Sequence, residues 1–151
     1  MEATKTFKSL IGEVELVYKK KSINKISVKT SQDAVDFARN VWPADINIKE
    51  SLIVLHLNRA GNIVSWHNLS NGGINGTVCD VRLAVKTALD SLASGVIMIH
   101  NHPSGNLNPS DSDNKIASEI KEGMKFLGIE LLDSIIITDD GYYSFADSGL
   151  L

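Results

Sequence analysis

Residues 95–120 read GVIMIHNHPSGNLNPSDSDNKIASEI. Three kinds of segment follow one another in that stretch. Gly95 to Ile99 is a short, nearly all-apolar run, the pattern of a strand buried on both faces. Asn101 to Pro109 is polar and breaks regular structure twice with proline. From Ser110 a helical stripe begins, with Ile116, Ile120, Met124 and Leu127 at helical spacing and Gly128 as the stop. A buried strand, a polar loop and an amphipathic helix in succession predict an α/β fold.

The flanks extend the same alternation. Downstream, Ile129 to Thr138 is a second apolar strand. Asp139-Asp140-Gly141 makes a turn, and Tyr142 to Phe145 a last short strand. Upstream, Leu52 to Asn58 and Ile63 to Leu69 are two strands joined by Arg59-Ala60-Gly61-Asn62. Asn71-Gly72-Gly73 and Gly76 form a glycine-rich turn. Asp80 then caps a helix whose stripe is Val81, Val85, Ala88, Leu89 and Leu92. The expected architecture is a mixed central β-sheet flanked by helices.

The first part of the chain reads differently. Glu13 to Tyr18 and Lys25 to Lys29 alternate as half-buried strands do, around Lys19-Lys20-Lys21. A helix capped by Ser31 carries Val35, Ala38 and Trp42, and Pro43 ends it. The expected division is a hairpin-plus-helix appendage over residues 1–42, a linker over 43–49, and the main domain over 50–151.

Composition sets limits on function. The 151 residues are 43% apolar and 22% charged, an ordinary globular balance. No apolar run reaches the ~20 residues of a membrane helix, and the N-terminus lacks the pattern of a secretory signal. The single cysteine, Cys79, excludes an intramolecular disulfide and fits a reducing, cytoplasmic setting. The net charge of −3 gives no support for a broad phosphate-binding surface. Residues 1–30 hold seven Lys against three Glu. A solvated turn explains that surplus better than a nucleic-acid contact.

The chemistry concentrates at His100, His102, Ser110 and Asp113. Residues i and i+2 of a strand point to one side, so His100 and His102 form a pair of imidazoles at a strand end. Three protein ligands and a water make a catalytic zinc site. Ser110 and Asp113 have the spacing of an N-cap and its third helical residue. Taken alone they are as well explained by capping as by ligation; the neighbouring histidines favour ligation by Asp113. His56 and His67 are expected to be ordinary structural histidines. Cys79 has no second cysteine and is expected to be a small buried residue. The glycine-rich turn lacks the phosphate-loop pattern. Glu50, a charge entering an apolar strand, is open between a solvated strand end and a proton acceptor.

The spacing His-x-His, seven residues, Ser, two residues, Asp resembles the JAMM (MPN-type) zinc metalloprotease signature, matched by His100, His102, Ser110 and Asp113. His100 to Gly105, reading HNHPSG, and the Pro109 to Asp113 segment resemble the RadC family more narrowly. The similarity runs from about Glu50 to Leu151 and includes Gly76-Thr77, Arg82, Leu132-Asp133, Tyr143 and Gly149. It implies a JAMM/MPN-like fold with cytidine-deaminase-like layering and one Zn²⁺ per chain on His100, His102 and Asp113. It further implies Glu50 as general base and Ser110 as an oxyanion donor, acting on a peptide or isopeptide amide of a protein substrate. The family's association with DNA repair offers a second reading, a role on or near nucleic acid; a non-catalytic interaction module is a third. Two departures stand out. Longer RadC proteins carry a helix-hairpin-helix segment that residues 1–49 do not show, and the family's usual Asp-His is Asp133-Ser134 here.

Overall fold

The computed structural model describes residues 25–72 and 79–151. The expected strand at Glu13 to Tyr18, the lysine turn and the loop over 73–78 lie outside the described residues. The elements, in chain order, are α1 (Ser31–Val41), β1 (Ser51–Leu57), β2 (Ile63–Asn71), α2 (Val81–Asp90), β3 (Gly95–Asn101), α3 (Asp111–Lys125), β4 (Glu130–Ile137) and β5 (Tyr142–Ser144). Among the described residues they form a five-stranded sheet of order β2-β1-β3-β4-β5. Only β3 and β4 run parallel; the other neighbours are antiparallel. The expected mixed α/β sheet with flanking helices is the architecture found.

All seven residues of β1 and of β3 are buried, so these central strands have helices on both faces. Odd-numbered residues Ile53, Leu55, Ile97, Ile99, Ile135 and Ile137 pack with Ala34, Val35 and Ala38 of α1. Even-numbered Leu52, Val54, Val96 and Met98 pack with Ala84 and Ala88 of α2 and with Ile120 and Met124 of α3. The period of two along each strand thus separates two cores by side chain alone.

α1 belongs to the segment expected to stand apart, and it shares a core with β1, β3 and β4. Its cap lies one residue before the expected Ser31. Thr30 accepts from the Asp33 amide at 3.2 Å, and the Asp33 carboxylate accepts from the Thr30 amide at 2.9 Å. The acidic residue three positions on is what selects Thr30, because it completes a reciprocal capping box. Arg39 reaches from α1 to the carbonyls of Thr138 and Gly141 at 2.6 and 3.2 Å. Trp42, at the end of that segment, and Ile46, in the expected linker over 43–49, also pack against the α1-side core. None of the helices searched among the described residues is long and apolar enough to cross a membrane.

Candidate metal centre

His100 is the next even-numbered residue of β3 after Val96 and Met98, so it faces the α2/α3 side, 6% exposed. His102 follows two residues on, held beside β4 by its amide hydrogen bond to the Ile137 carbonyl at 3.0 Å. The chain then turns through Gly105, whose φ of 79° suits a residue without Cβ. That turn brings the Asn106 carbonyl to within 2.6 Å of His102 Nδ1. A carbonyl only accepts, so Nδ1 carries the proton. In the neutral ring the Nε2 lone pair is then free and directed into the cleft.

The loop ends at Ser110, the N-cap of α3. Its hydroxyl accepts from the Asp113 amide at 3.1 Å, and the Asp113 carboxylate accepts from the Ser110 amide at 2.7 Å. This capping box orients Asp113 towards the histidines. His100 Nε2 lies 3.1 Å from Asp113 Oδ1, and His102 Nε2 lies 3.4 Å from Oδ2. The two Nε2 atoms are 3.1 Å apart. His100, His102 and Asp113 are the group of possible ligands found among the described residues.

These distances test whether a zinc ion fits. Donors at ~2.0–2.1 Å from zinc with tetrahedral angles stand about 3.3–3.4 Å from one another. The observed 3.1 to 3.4 Å separations are of that size, with the two histidines facing different oxygens of Asp113, and one donor atom from each residue can be chosen with all three within 4.8 Å of one another. The hydrogen-bond chemistry agrees. The free lone pair on His102 Nε2 faces a carboxylate that can only accept, so a positive charge belongs between them. The hydrogen bond to Asp113 raises the His102 pKa above its ordinary value; burial opposes this, while the Asn106 carbonyl and the charges of Asp113 and Glu50 support it. Burial alone would raise the Asp113 pKa, but hydrogen bonds from His100, His102 and Ser110 overcome it and hold that carboxyl far below the usual range.

Glu50 meets the same cleft. Across the antiparallel pair, Leu52 is opposite His100. Two residues earlier, Glu50 therefore falls on the His100 side. It lines a cleft of about 370 Å³ together with His100, His102, Ser110 and Asp113. Leu52, Met98 and Ile116 form its apolar wall. The five residues singled out in the sequence are brought to one place. Ser110 is there in an occupied state, since its hydroxyl donates to Asp113 Oδ2 at 2.7 Å.

Two further residues join them. Ser134, at the departure from the Asp-His pattern, lies opposite Met98 on β4 and lines the cleft. Asn101 is fully buried behind the histidines. Nothing in composition or periodicity distinguishes either; only their adjacency to signature positions marks them. His56 and His67 stay outside the cluster, as expected. Cys79 is half-buried against the α2/α3 core, and burial, then the charges of Asp80 and Glu119, push its thiol up to about 11. It is protonated at neutral pH and contributes no ligand.

Comparison with known proteins gives the family. The family model described as "RadC-like JAB domain" matches residues 28–150. A UPF0758 protein of Flavobacterium johnsoniae is 48% identical over 101 residues, covering 67% of this chain and 44% of that protein. One of Porphyromonas gingivalis is 47% identical over 104 residues, covering 68% and 46%. One of Aquifex aeolicus is 30% identical over 128 residues, covering 85% and 54%. The domain is thus of the JAB type, with an MPN-like sheet and helices. The chain belongs to the RadC family and spans about half the length of the curated relatives it matches.

Proposed function

We propose that this domain is a hydrolase that cleaves a peptide or isopeptide amide, with one zinc ion per chain held by His100, His102 and Asp113. The observation that carries the reading is the convergence of His100, His102 and Asp113, with donor atoms within 4.8 Å of one another, and Glu50 lining the same cleft. A zinc ion held there supplies Lewis acidity, polarising the scissile carbonyl and making water a nucleophile near neutral pH. Glu50 takes the proton of the attacking water and returns it to the leaving nitrogen. Ser110, whose hydroxyl donates to Asp113 in this structure, would donate to the developing oxyanion when free of that bond. The apolar wall excludes bulk water from these steps.

The described residues lining the cleft include no Lys or Arg. That favours an amide substrate over a phosphodiester backbone, which is held mainly by such cations. The lone protonated cysteine fits work in a reducing, cytoplasmic setting.

The test uses the zinc-loaded chain and a library of quenched peptides and lysine-branched isopeptides. Glu50→Gln keeps the shape and removes the base. Zinc content should stay near one per chain, while hydrolysis falls by ~10²–10⁴-fold. A fully active Glu50→Gln enzyme would overturn the assignment of the base, and a wild-type chain without zinc would overturn the site.

A further inference from the structure

Asn101 stands between the two histidines and points the other way. Strand neighbours alternate, so its side chain lies on the α1 side, where it is fully buried. Its carboxamide makes three hydrogen bonds to one short piece of chain. Oδ1 accepts from the Ser51 amide at 2.7 Å. Nδ2 donates to the carbonyls of Ile46 at 2.7 Å and Lys49 at 2.8 Å. The partners fix which end is oxygen, because an amide N–H only donates and a carbonyl only accepts.

The place of these bonds gives them a consequence. Leu52 and His100 are the last paired rung between β1 and β3 at this end. Ser51 and Asn101 would be the next, and the Asn101 side chain takes that rung over. In doing so it grips the chain on either side of Glu50. The Lys49–Glu50 peptide is held through the Lys49 carbonyl. The Glu50–Ser51 peptide is held through the Ser51 amide, and again through the Glu50 carbonyl, which accepts from Gly72 N at 2.9 Å. Peptide groups are planar, with two soft torsions per residue. Fixing both planes fixes the direction in which Glu50 leaves the backbone.

We infer that Asn101 is a positioning residue that aims Glu50 at the His100–His102–Asp113 cluster; this rests on the reading of Glu50 as the base. The residue between the two candidate ligands thereby ties their strand to the base. Catalytic geometry has to hold within ~0.5 Å, and a single buried amide sets both parts of it.

The test is a double-mutant cycle in the full chain, with cobalt(II) as probe metal and the library above as substrate. Asn101→Asp keeps the acceptor for Ser51 and loses both donors. Asn101→Ser loses the clamp with less charge perturbation and stands in should the first variant lack a cooperative melt. Cobalt should stay bound at about one per chain in both. The pH profile of the cobalt absorption band should move as it does in Glu50→Gln. Hydrolysis should fall ~10–100-fold in kcat with KM little changed. In the Glu50→Gln background, Asn101→Asp and Asn101→Ser should add no further loss and no further spectral shift. Loss of cobalt from the Asn101 variants, an unmoved pH profile, or full additivity with Glu50→Gln would each overturn the inference. A wild-type chain that binds cobalt and shows the spectral coupling but cleaves nothing would instead overturn the proposed substrate class and leave the positioning intact. Failure of the wild-type chain to bind cobalt would overturn the metal reading from which both follow.

Discussion

His56 and His100 face the same side of the sheet at opposite ends of paired strands. His56 lies opposite Val96, where β3 begins, and Leu52 lies opposite His100, near where β3 ends. Both are buried, at 1% and 6% exposure. Their surroundings differ in one respect. His56 meets hydroxyls from β2 and α2, while His100 meets a carboxylate and a second imidazole. Ser91 donates to the Thr87 carbonyl at 2.7 Å, and Ser65 donates to Ser91 at 2.7 Å. With both serine protons committed, His56 Nδ1 donates to Ser65 Oγ at 2.8 Å, and Nε2 lies 3.2 Å from Thr87 Oγ1, whose single proton also has the Ala84 carbonyl within reach at 3.1 Å. A neutral imidazole finds a hydroxyl beside each ring nitrogen in that arrangement. At the other end of the strand the same side chain faces a carboxylate, which can only accept, in a group that could hold a metal ion. Burial alone does not make a histidine functional; the sign of its partners does.

The largest expected effect separates the two ends by metal. His100→Ala and His102→Ala should each remove stoichiometric zinc, and His56→Gln should leave it near one per chain. Elemental analysis of dialysed protein reads this directly. Zinc retained in a His100→Ala, His102→Ala double variant would erase the contrast.

The next effect is in stability against pH. Burial, and secondarily the charge of His67, pull His56 down from 6.5 to about 4. Between those values the unfolded state binds more protons than the folded one, so stability rises with pH there. The contribution is complete above pH ~6.5 and is lost as the pH falls towards ~4; its size is on the order of 3 kcal/mol. Urea unfolding of the metal-free chain at pH 7.5 and 4.5 should show this loss. The drop should be smaller by about that amount in His56→Gln. Equal drops in the two proteins would mean that the network accommodates the charged ring.

The same contrast shows what could be read from sequence. The two-residue spacing and the capping spacing of Ser110 and Asp113 carry their geometry locally, through one strand end, one loop and one helix turn. Strand order and the side taken by Glu50 were not local: they follow from the pairing of β1 with β3, which the structure supplies. What α1 packs against was not local. The stripe Val35, Ala38 and Trp42 shows that the helix has an apolar face and says nothing of the partner, and the structure places Ala34, Val35 and Ala38 against β1, β3 and β4. Asn101 was hidden for a similar reason. Its three hydrogen bonds cross 50 to 55 residues of sequence, and no spacing rule reaches that far. Ser65, Thr87 and Ser91 likewise meet His56 only once β2 and α2 are folded beside it.

The smallest effect concerns which hydroxyl of that network matters more. Thr87→Val preserves shape and removes the hydroxyl that lies between His56 Nε2 and the Ala84 carbonyl, leaving the ring nitrogen without its partner. Such a loss costs ~1–3 kcal/mol and should lower Tm by a few degrees, at ~2–4 °C per kcal/mol for a chain of this size. Ser65→Ala removes the acceptor for Nδ1, but Ser91 Oγ already lies 3.2 Å from that nitrogen. Ser91 keeps its own proton on the Thr87 carbonyl and has a lone pair released once Ser65 no longer donates to it. The ring proton can therefore shift to Ser91 with little rearrangement. Ser65→Ala should cost less than Thr87→Val, below ~1 kcal/mol. Chemical denaturation of both variants at pH 7.5, where His56 is neutral in the folded state, gives the order. If Ser65→Ala proves the more damaging, Nδ1 depends on one serine, and the proton relay drawn through Ser65, Ser91 and the Thr87 carbonyl runs in the opposite sense.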